Sequence, residues 1–173
     1  MKTPLLALGL SLGAIVVPAH AASMRELFLQ QLTDVEKKVN SLAQAVPAEK
    51  YSWRPAEGVR SISEVFTHIA GSNYFFTGMA GVKPPEGIDR NMEKTVTQKS
   101  KVLAALKQSF EHTRRAVQGL SDADMAKEIK MFGKPATVDA LLFTMANHMH
   151  EHLGQSIAYA RVNGVVPPWS AKE

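Results

Sequence analysis

The chain has 173 residues and a formal net charge of +4, with 45% apolar and 21% charged residues. This length and composition are typical of one globular domain, and they exclude a disordered polypeptide and a protein embedded in a membrane. Cysteine is absent. Disulfide bonds, a cysteine nucleophile and thiolate metal ligands are therefore excluded, and any metal would have to bind His, Asp or Glu.

The N-terminus has the layout of a secretory signal peptide. Lys2 gives a positive start, residues 5–17 form an apolar run, and Pro18-Ala19-His20-Ala21 supplies the small residues of a cleavage site. The run is too short for a membrane-spanning helix, which needs about 20 residues. We therefore expect cleavage after residue 21 or 22, export to the periplasm, no membrane insertion of the mature protein and a single domain over residues 22–173. A retained N-terminal anchor is the alternative.

The first predicted helix carries an apolar stripe with spacings of three and four residues, and it ends before Pro47. The stripe consists of Phe28, Leu32, Val35, Val39, Leu42 and Val46. A loop over residues 48–60 follows. Its large aromatic residues, Tyr51 and Trp53, either cap one end of the core or line a pocket.

The second predicted helix begins at a capping box formed by Ser61 and Glu64 and continues to about Met79. After a long loop over residues 81–90, a third helix is predicted from about Glu93 to Gln118. Six basic residues cluster on this predicted helix: Lys94, Lys99, Lys101, Lys107, Arg114 and Arg115. We interpret them as a solvated helix face, because a nucleic-acid surface normally has a much larger excess of positive charge.

Residues 121–135 are expected to be irregular with one short turn, and residues 129–132 are the single candidate strand. Thr137 then caps a fourth helix that runs to about Val162 and ends at Asn163-Gly164. Four amphipathic helices with intervening loops predict an all-α four-helix bundle.

Histidines on the fourth helix indicate a metal site. His148 and His152 lie four residues apart, which is about 40° round a helix and about 6 Å along it, so both can reach one ion. Both lie on the inward stripe, where an imidazole needs partners for its donor and its acceptor. His150 points away, and His112 lies among charged neighbours; we interpret both as surface residues.

His68 on the second helix could supply a third ligand, because the apolar residues around it suggest a partly inward position. A helix-surface histidine is the other interpretation. Three neutral imidazoles would suit zinc, nickel, iron or copper and would leave an open position for a water or substrate.

Three segments of the chain resemble the DinB/YfiT-like superfamily. They are Tyr51-Ser52-Trp53-Arg54-Pro55, residues 61–70 ending in His68-Ile69-Ala70, and His148-x3-His152-x2-Gln155. The resemblance spans residues 24–165. It implies an up-down-down-up four-helix bundle, a homodimer, and a divalent metal on His68, His148 and His152.

The resemblance also implies a function: a metal-dependent enzyme of the hydrolase or thiol/S-transferase type, acting on an unknown small molecule. Gln155 could hydrogen-bond a water on the metal, whereas Glu64 could orient His68 or serve only its capping box. Asn73 and Tyr159 are either pocket or core residues. The alternative function is a non-catalytic periplasmic stress protein that binds a metal or ligand. A serine hydrolase is disfavoured because the chain has no Gly-x-Ser-x-Gly.

Overall fold

The computed structural model describes residues 22–170. Within them, four long helices are connected by two one-turn helices and a hairpin. The long helices are α1 (Met24–Ala45), α2 (Ile62–Met79), α4 (Lys99–Gln118) and α6 (Val138–Val162). The short elements are α3 (Met92–Thr95), α5 (Asp122–Met125), β1 (Glu128–Met131), β2 (Lys134–Thr137), and 3-10 turns at Ala48–Lys50 and Pro168–Ser170. The predicted signal peptide, residues 1–21, lies outside the described residues.

Side-chain caps fix where three of the long helices begin. The Ser61–Glu64 capping box predicted for α2 is present, and α1 begins at a second box formed by Ser23 and Glu26. The Thr137 side chain accepts a hydrogen bond from the amide of Ala140 at the start of α6, as predicted. Each cap satisfies backbone N–H groups that have no partner inside the helix.

Contacts between helix ends give the direction of each long helix. The Lys99 ammonium at the start of α4 donates to the carbonyl of Val46 at the end of α1, over 2.7 Å. The Lys50 ammonium, just before α2, donates to the carbonyl of Asn163 at the end of α6. α1 and α6 therefore run one way and α2 and α4 the other, and the predicted all-α, up-down-down-up four-helix bundle is confirmed.

The core of the bundle is formed by the predicted apolar stripes. All six stripe residues of α1 are buried, as are Leu141, Leu142, Met145, Met149 and Leu153 of α6. Tyr51 caps one end of this core: its ring is buried and its hydroxyl donates to the carbonyl of Ala43 over 2.7 Å. Asn73, considered for a pocket, is a core residue whose side-chain amide donates to Ser109 Oγ over 3.1 Å.

The predicted third helix is interrupted. Its first turn is the separate helix α3, and α4 begins only at Lys99. Thr95, Val96 and Thr97 lie at the break, and consecutive β-branched side chains lose rotamer freedom in a helix. The interruption lets the connection between α2 and α4 return along α2 before α4 begins.

Residues 121–135 are more regular than expected. Asp122–Met125 form α5, and β1 pairs with β2 in an antiparallel hairpin with Lys130 opposite Pro135. Phe132 and Gly133 form its tip, with φ of 50° and 81°. Both residues therefore adopt the left-handed conformation that a tight two-residue hairpin turn requires. No helix in residues 22–170 is long and apolar enough to cross a membrane.

Candidate metal centre

The three histidines singled out from the sequence lie together in the folded chain. One ring nitrogen from each of His68, His148 and His152 lies within 4.8 Å of the other two. The Nε2 atoms of His68 and His148 are 3.0 Å apart, and the His152 ring centroid is 4.5 Å from each of the other two centroids. The cluster forms because α2 and α6 are neighbours in the bundle and the helical period places His148 and His152 on one face of α6.

Glu93 fixes the orientation of His68. Its Oε1 accepts from Nδ1 of His68 over 2.6 Å, and its Oε2 accepts from Nε of Arg60 over 2.8 Å. Since a carboxylate can only accept, Nδ1 carries the proton and the lone pair of Nε2 faces the other rings. Burial raises the pKa of Glu93, but the hydrogen bonds from Arg60 and His68 outweigh it and hold this pKa below its ordinary value.

Gln155 fixes the orientation of His152. Its Oε1 accepts from Nδ1 of His152 over 2.8 Å, and its Nε2 donates to the hydroxyl of Tyr159 over 3.0 Å. The Tyr159 ring in turn meets the edge of Trp53, with centroids 5.3 Å apart. Gln155 was considered as a hydrogen-bond partner for a water on the metal. In the structure its amide holds the His152 ring, so the lone pair of His152 Nε2 also faces the cluster.

His148 has no comparable support. Its buried Nδ1 has no hydrogen-bond partner among residues 22–170, and its ring packs against Phe76 with centroids 5.4 Å apart. The Ser72 hydroxyl lies 3.5 Å from its Nε2. Burial, reinforced by the two neighbouring histidines and by Arg60, lowers the pKa of His148 to about 4. Burial likewise lowers the pKa of His68, despite the opposing hydrogen bond from Glu93. Both rings are therefore neutral at pH 7, the form that binds metals.

This donor set fits a divalent metal ion. Imidazole nitrogens that share a tetrahedral zinc ion, each about 2.0–2.1 Å from it, lie about 3.3 Å apart, close to the 3.0 Å between His68 and His148. The cluster contains three such ligands among residues 22–170, which leaves a fourth tetrahedral position for water or substrate.

The centre lies near the surface of the bundle, because His68 and His148 are partly exposed and only His152 is buried. A cavity of about 440 Å³ lies at the starts of α2 and α4, but none of the three histidines lines it. A small molecule that reached the centre would approach it from the surface of the bundle.

Glu64 does not orient His68. Its Oε2 accepts from the amide of Ser61 over 2.7 Å and lies 3.1 Å from Nη1 of Arg54, while its Oε1 lies 2.8 Å from the ammonium of Lys94. Burial alone would raise its pKa, but these partners outweigh burial and lower it to about 2. Of the two roles considered for Glu64, the structure shows the capping box. The carboxylate that accepts a hydrogen bond from His68 belongs to Glu93.

The two remaining histidines of the described chain differ from each other. His150 is exposed, as predicted, and its Nε2 lies 3.0 Å from Oε1 of Gln31. His112 was predicted to be a surface residue and is buried. Its Nε2 lies 3.0 Å from the hydroxyl of Thr77 and its ring centroid 5.2 Å from that of Tyr74, because this face of α4 packs against α2.

Known proteins resemble the chain in sequence and in structure. The family model described as the DinB superfamily matches residues 31–156. The protein YjoA of Bacillus subtilis (strain 168) is 30% identical over 128 residues, which are 72% of this chain and 81% of YjoA.

Two solved structures illustrate the likeness of fold. A DinB-like protein from Bacillus cereus ATCC 10987 superposes with a TM-score of 0.73 at 22% identity, covering 82% of this chain and 93% of that one. YfiT from Bacillus subtilis, described as a probable metal-dependent hydrolase with an unusual four-helix bundle topology, superposes with a TM-score of 0.65 at 17% identity, covering 87% and 94%.

Proposed function

Because this chain belongs to the DinB superfamily, we propose that it is an exported metal-dependent hydrolase whose divalent ion binds to His68, His148 and His152. The observation that carries the proposal is the convergence of three ring nitrogens within 4.8 Å of one another. Further support comes from YfiT, which shares the fold and is described as a probable metal-dependent hydrolase.

The reaction would be hydrolysis of an ester or amide at the mouth of the cluster. The oxygen of water bonds to the acyl carbon, the bond from that carbon to the leaving oxygen or nitrogen breaks, and a proton from the water passes to the leaving group. A divalent ion at this site would polarise the carbonyl and lower the pKa of water. Zinc, nickel, iron and copper all accept three imidazoles, so the ligands alone do not select among them.

The chain's own residues have supporting roles in this proposal. Glu93 and Gln155 hold the rings of His68 and His152 so that their free nitrogens face a common point. The Ser72 hydroxyl, 3.5 Å from Nε2 of His148, lies beside that point and can donate to a substrate oxygen.

Export to the periplasm is supported by the signal-peptide layout of residues 1–21. The mature protein would then begin at Ala22 or Ser23, which N-terminal sequencing of the exported protein can check. Membership of the superfamily also leads us to propose a homodimer, to be checked by analytical ultracentrifugation.

Metal content tests the proposal. The untagged mature protein is loaded separately with zinc, nickel and iron, dialysed, and analysed for metal per chain. We expect one ion per chain in the wild type and loss of that ion in His68→Ala and His152→Ala. His150→Ala is the matched control, because His150 lies on the same helix but is exposed and outside the cluster. A wild-type protein that binds no stoichiometric metal under any loading condition would remove the basis of the proposal.

Turnover separates the hydrolase from the competing functions. The metal-loaded protein should release p-nitrophenol from p-nitrophenyl esters, and removal of metal by a chelator should stop the release. Turnover that requires an added low-molecular-weight thiol would instead indicate an S-transferase. Stoichiometric metal without any turnover would favour a binding protein.

A further inference from the structure

Three phenylalanine side chains form an aromatic cluster next to the candidate metal centre. Phe76 is buried, and its ring centroid lies 5.4 Å from that of His148 and 6.4 Å from that of Phe132. Phe75 packs against Phe76 with centroids 5.6 Å apart, and it stacks on Phe132 at 6.4 Å. The apolar cluster is therefore continuous with the ring of a candidate metal ligand.

Phe75 also lies on the same side of α2 as His68. The two residues are seven positions apart, which is about 20° round the helix and about 10 Å along it. Ser72, whose hydroxyl contacts His148, lies between them on the same stripe. His68, Ser72 and the exposed Phe75 thus lie along one side of α2.

The contacts of Phe132 with Phe75 and Phe76 do not by themselves explain its unfavourable position. It lies at the hairpin tip with φ of 50°, a conformation that is about 1–2 kcal/mol unfavourable for a residue with a side chain and is normally taken by Gly, Asn or Asp. Phe132 is nevertheless 65% exposed, and Phe75 is 55% exposed. The position is unfavourable both for the backbone and for an apolar side chain, so it is more consistent with binding than with folding.

We propose, on the basis of the hydrolase function above, that Phe75 and Phe132 form an apolar wall that binds the acyl chain of the substrate while its carbonyl lies at the three histidines. The substrate class is an ester or amide of a medium-chain carboxylic acid. The path of about 10 Å from His68 to Phe75 suits such a chain and is too long for an acetyl group to reach. Because the centre lies near the surface of the bundle, this wall supplies the apolar contact that an enclosed pocket would otherwise give.

The test compares octanoyl with acetyl compounds in three variants. Phe75→Ser and Phe132→Ser remove the wall. Phe143→Ser is the matched control, because Phe143 is 58% exposed and lies on α6 about 140° round the helix from His148. Far-ultraviolet circular dichroism and metal content establish that each variant is folded and loaded.

We expect kcat/KM for p-nitrophenyl octanoate to fall about tenfold in each wall variant, while the value for p-nitrophenyl acetate changes by less than about twofold, as loss of an apolar contact predicts. The control should match the wild type for both esters. Equal losses of kcat/KM for the two esters, or a wild type with no preference for the octanoate ester, would contradict the role of Phe75 and Phe132 in binding the acyl chain. Neither result would contradict the hydrolase function.

Binding gives a measurement that does not depend on turnover. Calorimetric titration should show that octanoate binds the wild type at least about tenfold more tightly than acetate, and that the wall variants lose this difference. If neither ester is hydrolysed but this difference in binding is seen, the hydrolase function fails and the apolar site stands. If both wall variants are monomers while the wild type and the control are dimers, the phenylalanines are an interface between copies and the proposal is wrong.

Discussion

Replacement of Glu93 by Gln tests how the centre is held in shape. The Glu93 carboxylate makes a 2.6 Å hydrogen bond to Nδ1 of His68, and charge-assisted bonds of this kind are roughly twice as strong as neutral ones. Loss of such a partner behind a metal-binding histidine typically weakens metal binding by about 10- to 100-fold. Gln keeps a neutral acceptor, and the Glu93 side chain is 32% exposed. We therefore expect about a tenfold loss, or about 1.4 kcal/mol, for Glu93→Gln and a larger one for Glu93→Ala.

The assay is a competition titration of zinc against a chromophoric chelator at pH 7.5. The control is Glu64→Gln, which removes two ion pairs near the start of α2 but keeps an acceptor for the capping box. It should lower the free energy of unfolding by about 1–3 kcal/mol, because the Glu64 carboxylate is buried and hydrogen-bonded, and should leave zinc affinity unchanged. Equal losses of zinc affinity in Glu64→Gln and Glu93→Gln, or an unchanged affinity in Glu93→Gln, would show that Glu93 does not hold His68 in place.

Two further predictions concern the other ligands. Gln155→Ala should weaken zinc binding about tenfold, because Nδ1 of His152 loses its acceptor, whereas Gln155→Glu should retain it; the same titration measures both. In the metal-free protein, the pKa of His148 is lower in the folded chain than in the unfolded chain. As the pH falls, His148 is therefore protonated in the unfolded chain before it is protonated in the folded one. Its contribution to stability is then complete above pH 6.5 and lost by about pH 4, amounting to about 1–2 kcal/mol, because solvent screens this partly exposed ring. Urea unfolding between pH 7.5 and 4 should show a flatter profile for His148→Gln than for the wild type, and identical profiles would contradict this assignment.

The bundle and the histidine cluster could be predicted because their signals are local and periodic. The apolar stripe of α1 and the capping box of α2 each lie within a few turns of one helix, where spacing alone determines which side chains share a face. His148 and His152 follow the same rule. The pairing of α6 with α2, which brings in His68, came from the resemblance to a known family rather than from spacing.

Glu93 could not be predicted because its contact depends on the path of a long connection. It lies 25 residues from His68, at the start of a segment predicted to continue as a helix to Gln118. Only the break after Thr95 lets α3 lie beside the start of α2. Glu64, one turn from His68, was the carboxylate that sequence spacing could suggest.

His112 illustrates a second limit. Its charged neighbours Glu111 and Arg114 indicated an exposed face, yet Ser109 and Thr113 on either side of it are fully buried. α4 packs against both α1 and α2, so its buried surface is wider than the apolar stripe seen in the sequence. Polar side chains at the edge of that surface are then buried with hydrogen-bond partners, as His112 is with Thr77.

The ligands come from places far apart along the chain. His148 and His152 are four residues apart and stay close to each other even in an unfolded chain. His68 lies 80 residues before His148 and meets it only after folding. An ion bound to all three therefore closes a loop of that length, and the entropy of closing it has already been lost when the helices assemble. The native state should therefore bind the ion more tightly than the denatured state does. Each tenfold excess of free ion over its dissociation constant should shift the unfolding equilibrium by about 1.4 kcal/mol.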